Sequence, residues 1–232
     1  MLNIRRSEDR GGADFGWLKA KHSFSFGRYY DPKHMGFRSL RVINEDRVAP
    51  NSGFPTHPHD NMEIITYILE GELAHKDSMG NGAVIKPGVI QYMAAGTGVQ
   101  HSEFNPSETT KTHLLQIWIE PDKIGVPPRY QQVDFAHKHT KNRLHQLVGP
   151  DGTDGVVNIH QDAKLYAAKL DAGETVTHEL ADGRGAWIQV TRGTLTVGDT
   201  TLSAGDGAST ETPGPLTITA QEDAEFLLFD LA

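Results

Sequence analysis

The chain has 232 residues, of which 37% are apolar and 22% charged, so it carries enough hydrophobic side chain for a packed core and lacks the signature of a disordered chain. With 30 acidic against 22 basic side chains the formal charge is -8, and no run of five Lys or Arg occurs, which argues against direct nucleic-acid binding. Cysteine is absent, so disulfides and thiolate metal sites are excluded and any metal must sit on His, Asp or Glu.

In chain order, the N-terminal stretch MLNIRRSEDRGGADFGW has no apolar core of signal-peptide length. Nothing further on approaches the ~20 apolar residues that span a bilayer, so a cytoplasmic protein without a membrane partner is expected. Short β-type runs follow, SLRVINEDRV, EIITYILEG, AVIKPG, VIQYMAAG and HLLQIWIEP, punctuated by Gly, Pro, Asn and Asp. The second half repeats the style in KLYAAKLDAGE, AWIQVTRGTLTVGDTTLSAGDGA, LTITA and EFLLFDL. Such runs at close intervals predict an all-β fold of antiparallel sandwiches or barrels. The halves also share a coarser order of Gly, His, strand and Gly turn, from Gly53 and His57 to Gly71 and from Gly173 and His178 to Gly193, which suggests a duplicated module. Gly-punctuated hairpins that merely resemble one another are the competing explanation. Between the halves, DFAHKHTKNRLHQLVGPDGTDG is polar and reads as a connection. Its His137, His139 and His145 are better explained by a solvated linker than by a second metal cluster, because no carboxylate follows at strand spacing.

The chemistry concentrates in GFPTHPHDNMEI, residues 53 to 64. Residues i and i+2 of a strand emerge on one face, so His57 and His59 can converge on one ion, and Pro58 between them belongs at an edge or strand end. Alone, the pair would also fit an exposed loop. It is answered by AAGTGVQHSEFN, residues 94 to 105, where His101 and Glu103 repeat the i, i+2 spacing after a Gly-rich turn. Two such pairs on facing strands of a barrel would present three imidazoles and one carboxylate to a point. That donor set suits a divalent first-row metal with room left for substrate or dioxygen.

Gly53, His57, His59 and Glu63, followed by Gly96, Gly98, His101 and Asn105, resemble the two cupin motifs, with Gly96 standing where a proline is usual. The stretches HSFSFGRYYDPKHMGFRSLRVINED, HPHDNMEIITYILEGELAHKDSMGNG, MAAGTGVQHSEFNPS and HLLQIWI narrow the resemblance to the pirin family. The resemblance implies two cupin (jelly-roll) β-barrels in one chain, a bicupin. The expected layout is an N-terminal metal-binding cupin over 1–135, a linker region over 136–160 and a C-terminal cupin without a metal site over 161–232. The family pattern places the metal on His57, His59, His101 and Glu103. It leaves Glu63 as a candidate for the pocket or for supporting a metal-bound histidine. One divalent transition metal is implied, iron(II) favoured, with zinc, copper, cobalt, nickel or manganese compatible. The second unit should hold none, since Leu180 follows His178 at the alternate position and no histidine comes later. His22, His34, His75, His113 and His160 are expected to be core or surface hydrogen-bonding groups.

Quercetinase activity is the function the resemblance implies: cleavage of a flavonol's heterocyclic ring by dioxygen with release of carbon monoxide. Glu103 is then the expected base for the 3-hydroxyl proton, and Phe54, Met93 and Trp118 are candidates for pocket walls. A flavonol-like aromatic compound and O2 are the expected partners. The alternative is a non-enzymatic regulatory protein that uses the metal site to bind a protein partner, where the acidic balance favours a basic one.

Overall fold

A computed structural model of the chain describes residues 2–136, 140–152 and 155–232. No α-helix occurs among these residues, and 22 strands carry the fold. β1 (Asn3–Arg5) precedes β2 (Gly11–Asp14), β3 (Leu18–His22), β4 (Leu40–Val48), β5 (Gly53–His59) and β6 (Glu63–Glu70). Next come β7 (Leu73–Asp77), β8 (Gly82–Ile85), β9 (Val89–Ala94), β10 (Val99–Phe104), β11 (Thr112–Ile119) and β12 (Arg129–Asp134). The second half runs through β13 (His145–Gly149), β14 (Val157–Asn158), β15 (Ala163–Leu170), β16 (Thr175–Leu180) and β17 (Gly185–Arg192). It closes with β18 (Thr194–Val197), β19 (Thr200–Ser203), β20 (Gly207–Thr210), β21 (Gly214–Ala220) and β22 (Ala224–Leu231).

Each half pairs a seven-stranded sheet with a four-stranded one. The first half has the orders β12-β9-β6-β11-β4-β3-β2 and β5-β10-β7-β8. The second has β1-β20-β17-β22-β15-β13-β14 and β16-β21-β18-β19. Four central strands of the large sheets and all four of the small sheets follow the same sequence order, so the repeated module is visible in the topology. The N-terminal strand crosses over, because β1 pairs with β20 in the second half's sheet. Residues 136–160 are also more than a connection, since they supply β13 and β14 to that sheet.

The apolar runs that mark β6 and β22 have a physical reason. Every residue of EIITYILE except the last is buried, as is every residue of AEFLLFDL. The two large sheets pack against each other, so these strands are covered on both faces and need not alternate with polar residues. Ile43, Ile65, Tyr67 and Ile117 of the first sheet share one core with Leu165, Trp187, Leu227 and Phe229 of the second. The opposite faces look into the two barrels, and there the halves differ. The second interior is filled by Ile188, Val190, Leu195, Ile218, Phe226 and Leu228. The first has Leu18, Ile68, Leu73, Ile85 and Leu114 towards one end, while the buried set also includes Asn44, Asp46, Thr66, His101 and Glu103. That polar lining positions the site.

Candidate metal centre

His57 and His59 lie on β5, the edge strand of the small sheet, where Pro55 and Pro58 interrupt no second ladder. His101 and Glu103 lie on β10 beside it, with His101 directly opposite His57 and a register shift before Glu103 pairs with Phe54. The two pairs therefore sit on neighbouring strands of one sheet, not on facing strands as the spacing suggested. The irregular register shortens one strand against the other and re-aims the side chains. Gly53 permits the close approach: a Cβ there would fall 2.2 Å from the Glu103 carbonyl oxygen. Gly96 turns the chain ahead of β10 at a φ of 48°, a left-handed conformation glycine adopts without strain.

The three histidines converge. His57, His59 and His101 bring one ring nitrogen each within 4.8 Å of one another, and the Nε2 atoms of His57 and His101 stand 3.0 Å apart. The His57 Nδ1 donates to the Pro55 carbonyl at 2.9 Å, so its Nε2 carries the lone pair. Behind His101, the His75 Nδ1 accepts from Gln91 at 3.1 Å and lies 3.5 Å from the His101 Nδ1. With its proton on Nδ1, towards His75, His101 presents its Nε2 as a second lone pair. Two nitrogen ligands at right angles, each ~2.1 Å from an ion, stand about 3.0 Å apart, so the pair fits a bound cation. Burial, with His57 next, lowers the His59 pKa to about 4. Burial, with His57 and His59 next, lowers that of His101 to about 3. Both rings thus stay neutral, as metal ligands must.

Glu103 is placed differently. It shares a second group of ligand atoms within 4.8 Å with His101 and His75, and with His57 and His59 it lines a small cavity of about 70 Å³. Its carboxylate accepts from Gln116 Nε2 at 3.1 and 3.3 Å and from Thr66 Oγ1 at 3.4 Å. At 3% exposure, burial pushes the carboxyl up to about 7 against the effect of those hydrogen bonds. Asp46, 5% exposed, lines the same cavity and is also raised to about 7, first by burial and then by the charges of Glu103 and Glu45.

Several expectations are redirected. Glu63 turns away from the histidines: it accepts from Tyr92 Oη at 2.5 Å and from the His160 backbone N–H at 2.9 Å, tying the two halves together. Phe54 and Trp118 wall the small cavity, whereas Met93 is buried in a separate cluster with Ile64 and Val99. His75 is a buried hydrogen-bonding group that also neighbours His101, and its Nε2 faces Asp77 at 3.2 Å. The sequence did carry that signal, as His75 and Asp77 repeat the i, i+2 spacing of the other two pairs. His22 also borders a cavity, with its Nδ1 2.7 Å from Asn44. His34 pairs with Asp31 and His113 with Glu45, as hydrogen-bonding groups. His137 and His139 lie outside the described residues, and His145 Nε2 meets the Thr140 carbonyl at 2.8 Å. In the second barrel His178 faces Leu216 across the strands where His57 faces His101, and its Nε2 bonds Asp230 at 2.9 Å.

Two jelly-roll barrels, one with a histidine cluster facing a cavity and one filled with apolar side chains, define a bicupin with a single candidate metal centre among the described residues. The chain belongs to the pirin family. Residues 3–119 match the Pirin family model and residues 146–231 the quercetinase C-terminal cupin domain. The chain is 47% identical, over all of its length and 99% of the relative's, to a quercetin 2,3-dioxygenase of Escherichia coli strain K12. It is 42% identical to a pirin-like protein of Caulobacter vibrioides, with both chains covered in full. Among solved structures, the bacterial pirin YhhW of Escherichia coli in complex with nickel(II) is similar at a TM-score of 0.95 and 44% identity, covering 100% of this chain and 99% of that one.

Proposed function

We infer that the protein is a metal-dependent dioxygenase of quercetinase type, which opens the heterocyclic ring of a flavonol with dioxygen and releases carbon monoxide. The observation that carries this reading is the convergence of three imidazoles beside a buried carboxylate, at a cavity that adjoins a larger one. The family and the name of the Escherichia coli relative support it. His57, His59, His101 and Glu103 would hold the ion, iron(II) before zinc, copper, cobalt, nickel or manganese. When bound, it supplies Lewis acidity that favours the deprotonated form of a flavonol's 3-hydroxyl.

The chain's own residues do the rest. Glu103 takes the hydroxyl proton on its carboxylate, and Gln116 and Thr66 hold that carboxylate in place as its charge changes. Phe54 and Trp118 keep water from the electron-rich substrate, and Trp118 packs edge-on against His59 at a centroid distance of 5.0 Å.

Oxygen uptake by anaerobically iron(II)-loaded protein given quercetin, with carbon monoxide assayed in the headspace, tests the reading. Turnover that disappears in Glu103→Gln while bound metal persists is the expected outcome. No uptake by fully loaded protein, repeated with cobalt, nickel and copper, would overturn it in favour of a metal-dependent binding protein.

A further inference from the structure

The small cavity beside the histidines adjoins a much larger one of about 670 Å³, and Phe26, Asn44, Asp46 and Phe54 line both. Alternation along β4 points Asn44 and Asp46 to the same face. Asn44 stands between His22 on β3 and Gln116 on β11, and Asp46 between Ala20 and Leu114 on the same strands. The joint cavity thus crosses β11, β4 and β3, two strand spacings or ~10 Å, a span suited to a flat, linked-ring molecule. Its outer part is walled by apolar groups such as Phe15, Trp17, Leu18 and Phe54.

Polar groups also line the cavities, among them His22, Arg28, Asn44 and Gln116, and of these Asp46 stands out. Its Oδ1 is fully buried and has no hydrogen-bond partner, and the indole N–H of Trp118, in the same small cavity, is also unpaired. A buried carboxylate short of a partner costs stability, and because Asp46 borders both cavities a ligand there can supply a hydrogen bond to the carboxylate. A phenolic hydroxyl has the right chemistry, because it can donate to the carboxylate or accept from its protonated form, and it sits on a ring the apolar walls can hold.

We propose that the larger cavity receives the pendant ring of the flavonol and that Asp46 reads a hydroxyl on that ring. This rests on the flavonol reading of the site above. Asp46 is a specificity-determining contact rather than the base, since Glu103 stands at the histidines and Asp46 at the passage away from them. A site built to pair a hydroxyl discriminates strongly against an analogue that lacks it, because the buried partner is then left bare.

The test compares quercetin with galangin, which differs only in lacking the pendant-ring hydroxyls, by anaerobic binding to metal-loaded protein followed by absorbance. Wild type is expected to bind quercetin about tenfold or more tightly than galangin. In Asp46→Leu that ratio falls to within about threefold through weaker quercetin binding alone, while the thermal midpoint holds or rises because an unpaired buried carboxylate is gone. Asp46→Asn keeps a carbonyl acceptor at the same place and should give an intermediate ratio, which guards against a folding artefact in the leucine variant. An unchanged ratio in Asp46→Leu overturns the assignment, as does a parallel loss of both affinities with a lowered midpoint, which would mark a structural role. Wild type binding both flavonols equally overturns this assignment alone. Binding of neither brings down the flavonol reading and this assignment with it.

Discussion

His75 stands directly behind His101, with its Nδ1 3.5 Å from the His101 Nδ1 and its Nε2 3.2 Å from an Asp77 carboxylate oxygen. All three side chains are buried. The chain of contacts favours a proton on the His101 Nδ1 and leaves its outer nitrogen towards His57, 3.0 Å from the His57 Nε2. A metal-ligating imidazole commonly has its other nitrogen held in this way, and loss of the support costs roughly 10- to 100-fold in metal affinity. His75→Phe and Asp77→Asn are therefore expected to weaken metal binding by about that factor without removing a ligand, as competition with a chromophoric chelator would show. Wild-type affinity in both variants would mean that His101 is oriented by its strand alone.

The approach of β5 to β10 is set by Gly53. A Cβ there would lie 2.2 Å from the Glu103 carbonyl oxygen and 2.6 Å from the Phe104 Cα, and backbone cannot swing aside. Gly53→Ala must then push the two strands apart at the register shift that aims Glu103. We expect a loss of about 3 kcal/mol in urea unfolding, at the upper end of overpacking effects, and less than one metal bound per chain. Wild-type stability with full metal occupancy would show that the sheet edge yields without strain.

The strands were legible where packing makes them plain. EIITYILE and EFLLFDL are covered on both faces, so their apolar runs stand out in the sequence. β1, β2 and β12 were not, being short or without a fully buried residue, and β13 and β14 sit in a stretch whose polar composition reads as a linker. The His57 and His101 pairs announced themselves because strand periodicity puts i and i+2 on one face. His75 and Asp77 carried the same spacing in ELAHKD, yet nothing local says that β7 lies beside β10 rather than elsewhere in the sheet. Asp46 was hidden for a related reason. In VINEDRV it is one of several charges, and only the fold separates its unpaired burial from Glu45, which Arg10 and His113 hold by short contacts.

The two halves share hydrogen bonds as well as a core. Tyr67 on β6 donates through its hydroxyl to Glu225 on β22 at 2.6 Å, and both residues are buried. Tyr67→Phe removes the donor and leaves the carboxylate short of a partner, for which about 1–3 kcal/mol is expected in global stability. Metal content should not change, because the bond lies on the outer face of the sheet, away from the histidines. Thermal or urea unfolding together with metal analysis separates the two; a fall in metal binding would show that the interface shapes the site.

Metal-free protein should show a pH dependence in which histidines and carboxyls oppose each other. His59 and His101 fall from the usual 6.5 to about 4 and about 3 on folding, so below pH 6.5 the unfolded chain takes up protons that the folded one refuses. Their effect is a loss of stability as pH falls from 6.5 towards 3. Glu103 and Asp46 rise to about 7 from 4.5 and 3.8, so between those values the folded state binds the extra protons and gains stability as pH falls. Between about pH 4 and 6.5 the two effects largely offset, with His22 and His75, also lowered by burial, adding only a shallow fall, so urea midpoints should change little; below pH 4 the histidines still cost stability and the carboxylates held low by their partners, Glu45, Asp77 and Asp230 among them, begin to lose theirs, and stability should drop. The double variant Asp46→Leu, Glu103→Gln removes the compensating pair, so its midpoint is expected to fall steadily from pH 6.5 downwards. A double variant with the same flat profile as wild type would show that neither carboxyl titrates in this range.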